Sequence, residues 1–211
     1  RPSSSDTPIN INNETVTFLQ TDTIFEVDEQ IISNHLQSII DIKSNTLHKE
    51  FIKILSSTKL EAENNSENII YLIIKKLYEI GEIEKSYNLV KKISLNSITN
   101  QDHLNYFYFV ELNYLYSTRK LSEVCDLKTR LIKKGIVLPK FLIEKSDIFC
   151  LTLENKFSEA NLLNSLLLES EKEIDKNFQK LFKFMILNEK NKESFDSLSE
   201  VKFKELIFLY S

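Results

Sequence analysis

The one pair of adjacent side chains that could transfer a proton is Asp102 and His103. A carboxylate beside an imidazole is a common arrangement in general acid–base catalysis. An aspartate here also suits the N-cap of a helix that runs from Leu104 to Tyr116, because its carboxylate can accept hydrogen bonds from the first free amides. We expect the capping role, and the sequence predicts no enzyme.

The other residues with chemical potential do not form a site. Neither a CxxC nor an HExxH spacing occurs, so no zinc site is predicted. With glycine only at positions 81 and 135, the chain cannot contain a glycine-rich phosphate loop. Cys125 and Cys150 lie in stretches with helical periodicity, and we expect them to be small, buried, unpaired thiols. No catalytic residue, cofactor or metal is therefore expected.

Composition favours an all-helical protein. The 211 residues include only 2 Gly and 3 Pro, too few for the many tight turns of a β-sandwich or barrel. The hydrophobic fraction of 42% is enough for a folded core. The net charge is -4, and Arg1, Arg119 and Arg130 are the only arginines, so no nucleic-acid-binding surface is predicted. No apolar run is long enough to predict a membrane span.

Apolar periodicity divides the chain into three parts. Residues 1–24 hold two of the three prolines and lack a helical face, which predicts an extended N-terminal arm with a short strand at 15–19. Residues 25–65 carry two apolar stripes at helical spacing, with Ser44 as an N-cap between them, and predict two helices that pack on the rest. Residues 66–211 contain repeats at about 66–100, 101–137, 138–172 and 173–211.

Three of these repeats superpose without gaps in their centres, at offsets of 38 and 36 residues. In each, an apolar stripe breaks at a polar turn and then resumes, which predicts a helical hairpin with a left-handed residue at the turn. A large residue follows the turn and is expected to fill the space between the two helices at the turn end of the hairpin. A small or medium residue comes next and lets the helices approach closely. We call each set of aligned positions a column. The turn column is Gly81, Arg119 and Asn155; the large-residue column is Ile83, Leu121 and Phe157; and the small-residue column is Ser86, Val124 and Ala160.

The fourth repeat is less regular. An offset of 36 residues places Phe184 and Leu187 in the first two apolar columns, after which the match ends. This behaviour is expected of a divergent terminal unit, or of an alignment that needs a shift.

The turn segments 81–86, 119–124 and 155–160 resemble the Gly-x-Tyr/Phe-x-x-Ala core of the tetratricopeptide repeat (TPR) family. The resemblance covers residues 66 to about 190. Ile74, Leu112 and Ile148 replace the small residue of the family's first helix, and no proline closes the unit after Ile93. The resemblance implies an all-α protein, an α-solenoid of stacked antiparallel helical hairpins that form a TPR-like superhelix. A related hairpin array with a different curvature stays open.

In that geometry the first helix of each repeat lines a concave groove. An extended peptide or a helix would be held there by aromatic contacts and hydrogen bonds. The alternative is that the two N-terminal helices fold back over these aromatic residues. Some of the four consecutive aromatic residues 106–109 must be exposed or interfacial, since one helix face cannot bury all four. The implied groove residues are Tyr71, Lys75, Tyr78, Phe109, Asn113, Tyr116, Lys145 and Phe149.

The sequence thus predicts a non-catalytic scaffold that binds a protein or peptide partner of unknown identity in this groove. The alternative is a structural or oligomerisation segment of a longer helical-repeat protein, with self-association through the apolar stripe at 201–209. A helical enzyme or lipid-binding array is a third hypothesis. Arg1 at the first position suits a processed or trimmed chain, and leaves the bacterial periplasm and the cytoplasm both open.

Overall fold

The computed structural model describes residues 28–39, 44–57, 66–170 and 174–187. Every regular element within these ranges is helical, which confirms the all-α prediction. None of these helices is long and apolar enough to cross a membrane. The predicted arm at 1–24, the strand at 15–19 and the stripe at 201–209 lie outside the described residues. The α-helices are α1 (Glu29–Ser38), α2 (Asn45–Ser56), α3 (Glu67–Glu79), α4 (Ile83–Val90), α5 (Gln101–Ser117), α6 (Leu121–Lys133), α7 (Lys140–Leu153), α8 (Phe157–Ser170) and α9 (Lys176–Leu187).

Helices α1 and α2 begin at capping side chains and pack on the first hairpin. The Asp28 carboxylate accepts a hydrogen bond from the Gln30 amide at 2.9 Å. The predicted cap at Ser44 is confirmed, because its hydroxyl accepts from the Leu47 amide at 3.4 Å. Both helices contact α3, and α2 also contacts α4. They bury Leu36, Ile52 and Leu55.

The three hairpins α3–α4, α5–α6 and α7–α8 close at the predicted turn residues. Gly81 has φ of 88°, and Arg119 and Asn155 both have φ of 59°. At the first turn the Gly81 amide donates to the Tyr78 carbonyl and the Glu82 amide donates to the Leu77 carbonyl. Equivalent pairs of bonds form after α5 and α7. This pattern satisfies carbonyl groups that a helix end otherwise leaves free, and it turns the chain back at once.

The small-residue column lies between the two helices of each hairpin, as predicted. Ser86, Val124 and Ala160 are all 0% exposed. The Ser86 hydroxyl also donates to the Ile74 carbonyl at 3.0 Å and ties α4 to α3. The large-residue column is less uniform: Ile83 and Leu121 are half-buried, but Phe157 is exposed. The prediction that a large residue fills the space at the turn end of every hairpin is therefore wrong for the third hairpin.

The buried apolar residues form two clusters that meet at Phe109. One cluster runs from Leu36 to Val110, and the other from Leu112 to Phe182. Helices contact their neighbours along the chain, including α4 with α5 and α6 with α7. Helical bundles and solenoids share this contact pattern, so the superhelical stack stays a prediction.

Helix α9 packs on α7 in a different register from the predicted one. Phe182 is buried and Phe184 is exposed, whereas the offset of 36 residues placed Phe184 in the apolar column. The apolar column thus falls two residues earlier than that offset predicts. The alignment of the fourth repeat needed a shift.

Cys125 and Cys150 form a disulfide, so the prediction of unpaired thiols is wrong. The two residues lie on α6 and α7, in different hairpins, with Cα atoms 5.9 Å apart. Their pairing depends on how successive hairpins pack, which the periodicity of each helix does not specify. The cross-link stabilises the fold by restricting the unfolded chain.

The buried small-residue column gives a direct test of the hairpin packing. We expect Ala160→Leu to lower the free energy of unfolding by about 1–3 kcal/mol, because three added carbon atoms cannot fit without displacing α7 or α8. Urea denaturation measures the change. The neighbouring exposed position supplies the control, since Asn161→Leu should leave stability nearly unaltered. Equal effects at 160 and 161 would contradict this packing.

Candidate partner-binding cleft

Successive hairpins are joined through their first helices by several of the residues that were predicted to line a groove. On α3, the Tyr71 ring stacks on His103 of α5 with centroids 4.3 Å apart. The Tyr78 ring meets Phe109 of α5 edge-on at 5.4 Å. Further along the chain, the Tyr116 hydroxyl of α5 donates to the Ser146 hydroxyl of α7 at 2.6 Å. Aromatic side chains therefore bring α3, α5 and α7 together.

Most of the predicted groove residues are inaccessible in this structure. Tyr71, Lys75 and Phe109 are partly exposed. Burial raises the pKa values of the Tyr78 and Tyr116 hydroxyls. Contact with a partner stays a prediction for these residues, and the structure places them in the packing between hairpins. The buried members are Tyr78, Asn113, Tyr116, Lys145 and Phe149.

Polar members of the predicted groove also have structural partners. The Lys145 ammonium donates to the Asp175 carboxylate at 2.7 Å, and both side chains are buried. Asp175 in turn accepts from the Phe178 amide at 2.9 Å, so Lys145 fastens the start of α9 to α7. The Asn113 side-chain amide donates to the Phe109 carbonyl at 2.6 Å within α5. The Lys75 ammonium lies 5.6 Å from the centre of the Tyr71 ring.

His103 pairs with Glu67 of α3 rather than with Asp102. Its Nδ1 lies 2.8 Å from a carboxylate oxygen of Glu67, and the residue is 8% exposed. The N-cap of α5 is Asn100, whose side-chain oxygen accepts from the Asp102 amide at 2.9 Å. The predicted cap was two residues too late, because Asn100 caps as well as an aspartate does.

Glu67 accepts hydrogen bonds from the loop that leads into α5, and we call this set of bonds the clasp. Its carboxylate accepts from the Thr99 amide at 2.9 Å, the Thr99 hydroxyl at 2.8 Å and the Asn100 amide at 3.0 Å. Burial acts to raise the pKa of Glu67, but these bonds and the bond to His103 outweigh it and lower the pKa to about 2. The carboxylate joins the first two hairpins as long as it is ionised.

A solvent-accessible cleft lies between the second helices α4 and α6, with α5 as its floor. It consists of two recesses of about 310 Å³ and about 550 Å³. Because Lys91, Glu111, Leu127 and Arg130 line both recesses, the two are adjacent. The smaller recess also contains Tyr108 and Lys134, and the larger contains Tyr87 and Asp126. The sequence prediction placed the groove on the first helices, so it missed this cleft.

The floor of the cleft carries a carboxylate without a direct partner. Within the described residues, Glu111 forms no hydrogen bond and no ion pair within 4.0 Å. Burial raises the pKa of Glu111, while the nearby cations Lys91 and Arg130 act to lower it. Burial, followed by the charge of Glu111, also raises the pKa of the Tyr108 hydroxyl.

One wall of the cleft is held in place by aromatic stacking. Tyr87 of α4 stacks face to face on Tyr114 of α5 with centroids 3.9 Å apart. The Lys91 ammonium lies 5.9 Å from the centre of the Tyr87 ring, within the range of a cation–π contact. Tyr114 thus positions Tyr87, and Tyr87 positions Lys91 at the edge shared by both recesses.

A third recess of about 230 Å³ lies beside the disulfide, on a neighbouring face of α6. Asp126 and Thr129 line both this recess and the larger part of the cleft. Its most buried ion pair joins Lys128 of α6 to Asp147 of α7. Across the residues that the structure describes, no group of three or more His, Cys, Asp or Glu side chains could hold a metal ion.

The signal for the cleft is present in the sequence of α6. The charged residues Asp126, Arg130 and Lys134 follow each other at a spacing of four, and Leu127 and Leu131 lie beside them. A spacing of four keeps side chains on one face of a helix. Charged and apolar side chains on one face of a helix indicate a surface that solvent reaches but that is partly apolar.

No protein-family model matches the chain, and no curated protein or solved structure shows significant similarity to it. The resemblance to TPR proteins therefore stays a prediction based on the turn segments.

The clasp at Glu67 predicts a pH-dependent contribution to stability. Since folding lowers the pKa of Glu67 from 4.5 to about 2, its stabilising effect is complete above pH 4.5 and is lost as the pH falls towards 2. We expect Glu67→Gln to be less stable than wild type at neutral pH, and the difference to shrink as the pH falls to 2. Urea unfolding across this pH range measures both variants.

The exposed Glu84 provides the control for this experiment, because Glu84→Gln should show no such convergence. A stability difference between Glu67→Gln and wild type that stays constant from neutral pH to pH 2 would contradict the clasp.

Proposed function

We propose that this chain is a non-catalytic scaffold that binds a linear segment of another protein in the cleft between α4 and α6. One observation carries the proposal: the cleft consists of two adjacent recesses, reaches solvent, and combines aromatic, apolar and charged side chains. Within the described residues, neither Arg130 nor Lys134 forms an ion pair within 4.0 Å, so both are available to a partner.

The character of the lining favours a peptide over a small molecule. Small-molecule sites are mostly enclosed and apolar, with few charged groups. Here Lys91, Asp126, Arg130 and Lys134 are all exposed along the rim. A polar rim around apolar and aromatic residues is typical of protein interfaces, in which tyrosine and arginine are frequent anchors.

The repeat architecture supplies the two walls. Helix α4 belongs to the first hairpin, and α5 and α6 form the second, so the cleft exists because the first hairpin packs beside the second. In the proposed TPR-like stack, the partner lies between second helices, and the first helices pack against one another. This assignment differs from the groove that the family resemblance implies.

Two polar residues that could act in catalysis are bound to structural partners, which supports a non-catalytic role. His103 is stacked under Tyr71 and bound to Glu67, and Lys145 is paired with Asp175. These side chains hold helices together. The disulfide between Cys125 and Cys150 favours an oxidising compartment for this protein, because such bonds persist there and are rare in the cytosol.

Peptide selection tests the cleft. A phage-displayed library of random linear peptides is panned on the wild-type chain, and binders are compared on two variants. We expect Thr129→Trp to weaken them about tenfold or more, because a large ring at the rim fills the larger recess. Lys133→Trp is the control, since Lys133 lies on α6 but lines neither recess.

Binders that are lost on Thr129→Trp and kept on Lys133→Trp support the proposal, provided that both variants melt like wild type. If no binder is sensitive to Thr129→Trp, the proposed function is wrong.

An exposed apolar pair favours the alternative, a structural or oligomerisation segment. Leu162 and Leu166 lie one turn apart on α8 and are 63% and 53% exposed. Such a pair is a typical contact point between helices. If this face binds a second copy, static light scattering will show a dimer for wild type and a monomer for Leu162→Glu/Leu166→Glu. A wild-type monomer at all concentrations would contradict the alternative.

A further inference from the structure

The two recesses of the cleft differ in net charge. The smaller recess is lined by the three cations Lys91, Arg130 and Lys134, and by Glu111 as the single carboxylate, a net charge of +2. The larger recess shares Lys91, Arg130 and Glu111 and adds Glu123 and Asp126, which gives a net charge of -1. The cleft is therefore polarised along its length, in a chain whose overall charge is -4.

The protein neutralises the cations of the smaller recess only in part, through the charge of Glu111 near Lys91 and Arg130. Among the described residues, Arg130 and Lys134 have no ion-pair partner within 4.0 Å, and the Lys91 ammonium lies 5.9 Å from the centre of the Tyr87 ring. By contrast, Lys128 and Lys145, elsewhere in the structure, are paired with aspartates. A cation near the end of a helix stabilises the helix dipole, but that role does not require it to line a recess.

Apolar side chains lie directly beside the unpaired cations. Val90, Ile93 and Leu95 form one side of the smaller recess, and Leu127 and Leu131 form the other. Such a surface can bury one apolar side chain of a ligand while its neighbour reaches the charged rim. The charged and apolar groups together specify two adjacent features of the ligand.

We propose that the smaller recess binds a protein segment that carries an acidic side chain next to an apolar one. The acidic carboxylate pairs with Arg130 and Lys134, and the apolar side chain lies against Ile93 and Leu95, the partly exposed apolar residues of the recess. This inference rests on the proposed function and adds the chemistry of the partner. At the other end, Asp126 selects against a second acidic residue and sets the direction of the segment.

Synthetic peptides test the charge preference. Fluorescein-labelled peptides with the core Glu-Leu, and matched versions with Gln-Leu and Lys-Leu, are titrated with the wild-type chain by fluorescence anisotropy. We expect the glutamate peptide to bind about tenfold more tightly than the glutamine peptide, because charge-assisted pairs are stronger than neutral ones. The advantage should shrink in high salt, which screens exposed charges.

Two variants locate the effect. Arg130→Glu/Lys134→Glu should reverse the preference in favour of the lysine peptide. Lys133→Glu changes a lysine in the same turn of α6 that does not line the recess, and should keep the preference of wild type. Thermal melting of both variants confirms that they are folded.

The inference is overturned if wild type does not bind the glutamate peptide, or binds the glutamate and glutamine peptides equally. It is also overturned if Lys133→Glu has the same effect as the double variant, because that result indicates non-specific attraction. Failure here is distinct from failure of the proposed function: selected peptides that depend on the cleft but show no acidic preference would leave the scaffold role intact.

Discussion

The architecture depends on one backbone constraint, a left-handed residue directly after the first helix of each hairpin. Gly81 takes this conformation without a steric penalty, whereas Arg119 and Asn155 take it at a cost of roughly 1 kcal/mol. The two hydrogen bonds that close each turn offset that cost. Because the same turn recurs three times, each second helix returns along its first helix with a buried residue at the equivalent position in between, Ser86, Val124 or Ala160. The hairpins are equivalent because their turns are equivalent.

The turns do not determine how one hairpin packs against the next. Tyrosine and phenylalanine side chains project from α3, α5 and α7 towards each other, and they fill the space between first helices. The second helices α4 and α6 both rest on α5 with an open space between them. The cleft therefore lies between the second helices, because large aromatic residues fill the space between the first helices.

The sequence was sufficient for features that depend on local spacing. The hairpin turns, the buried column at Ser86, Val124 and Ala160, and the cap at Ser44 all follow from residue types at fixed intervals. Features that depend on how hairpins meet were missed. The disulfide joins two helices that are not partners in one hairpin, and the packing of Tyr78 and Tyr116 depends on the rotation of one hairpin against the next. The charge spacing near α6 marks one wall of the cleft, but the opposite wall depends on how the first two hairpins meet.

The boundary between the two apolar clusters runs through the cleft. Val90 on the α4 wall belongs to the first cluster, and Leu127 and Leu131 on the α6 wall belong to the second, which the disulfide links onward to α7. A ligand bound between α4 and α6 would contact both apolar clusters and so link the first cluster to the second. By linkage, occupancy would then stabilise the junction near Phe109 more than either half alone. Capture of a short segment would in this way stiffen the contact between the first and second hairpins.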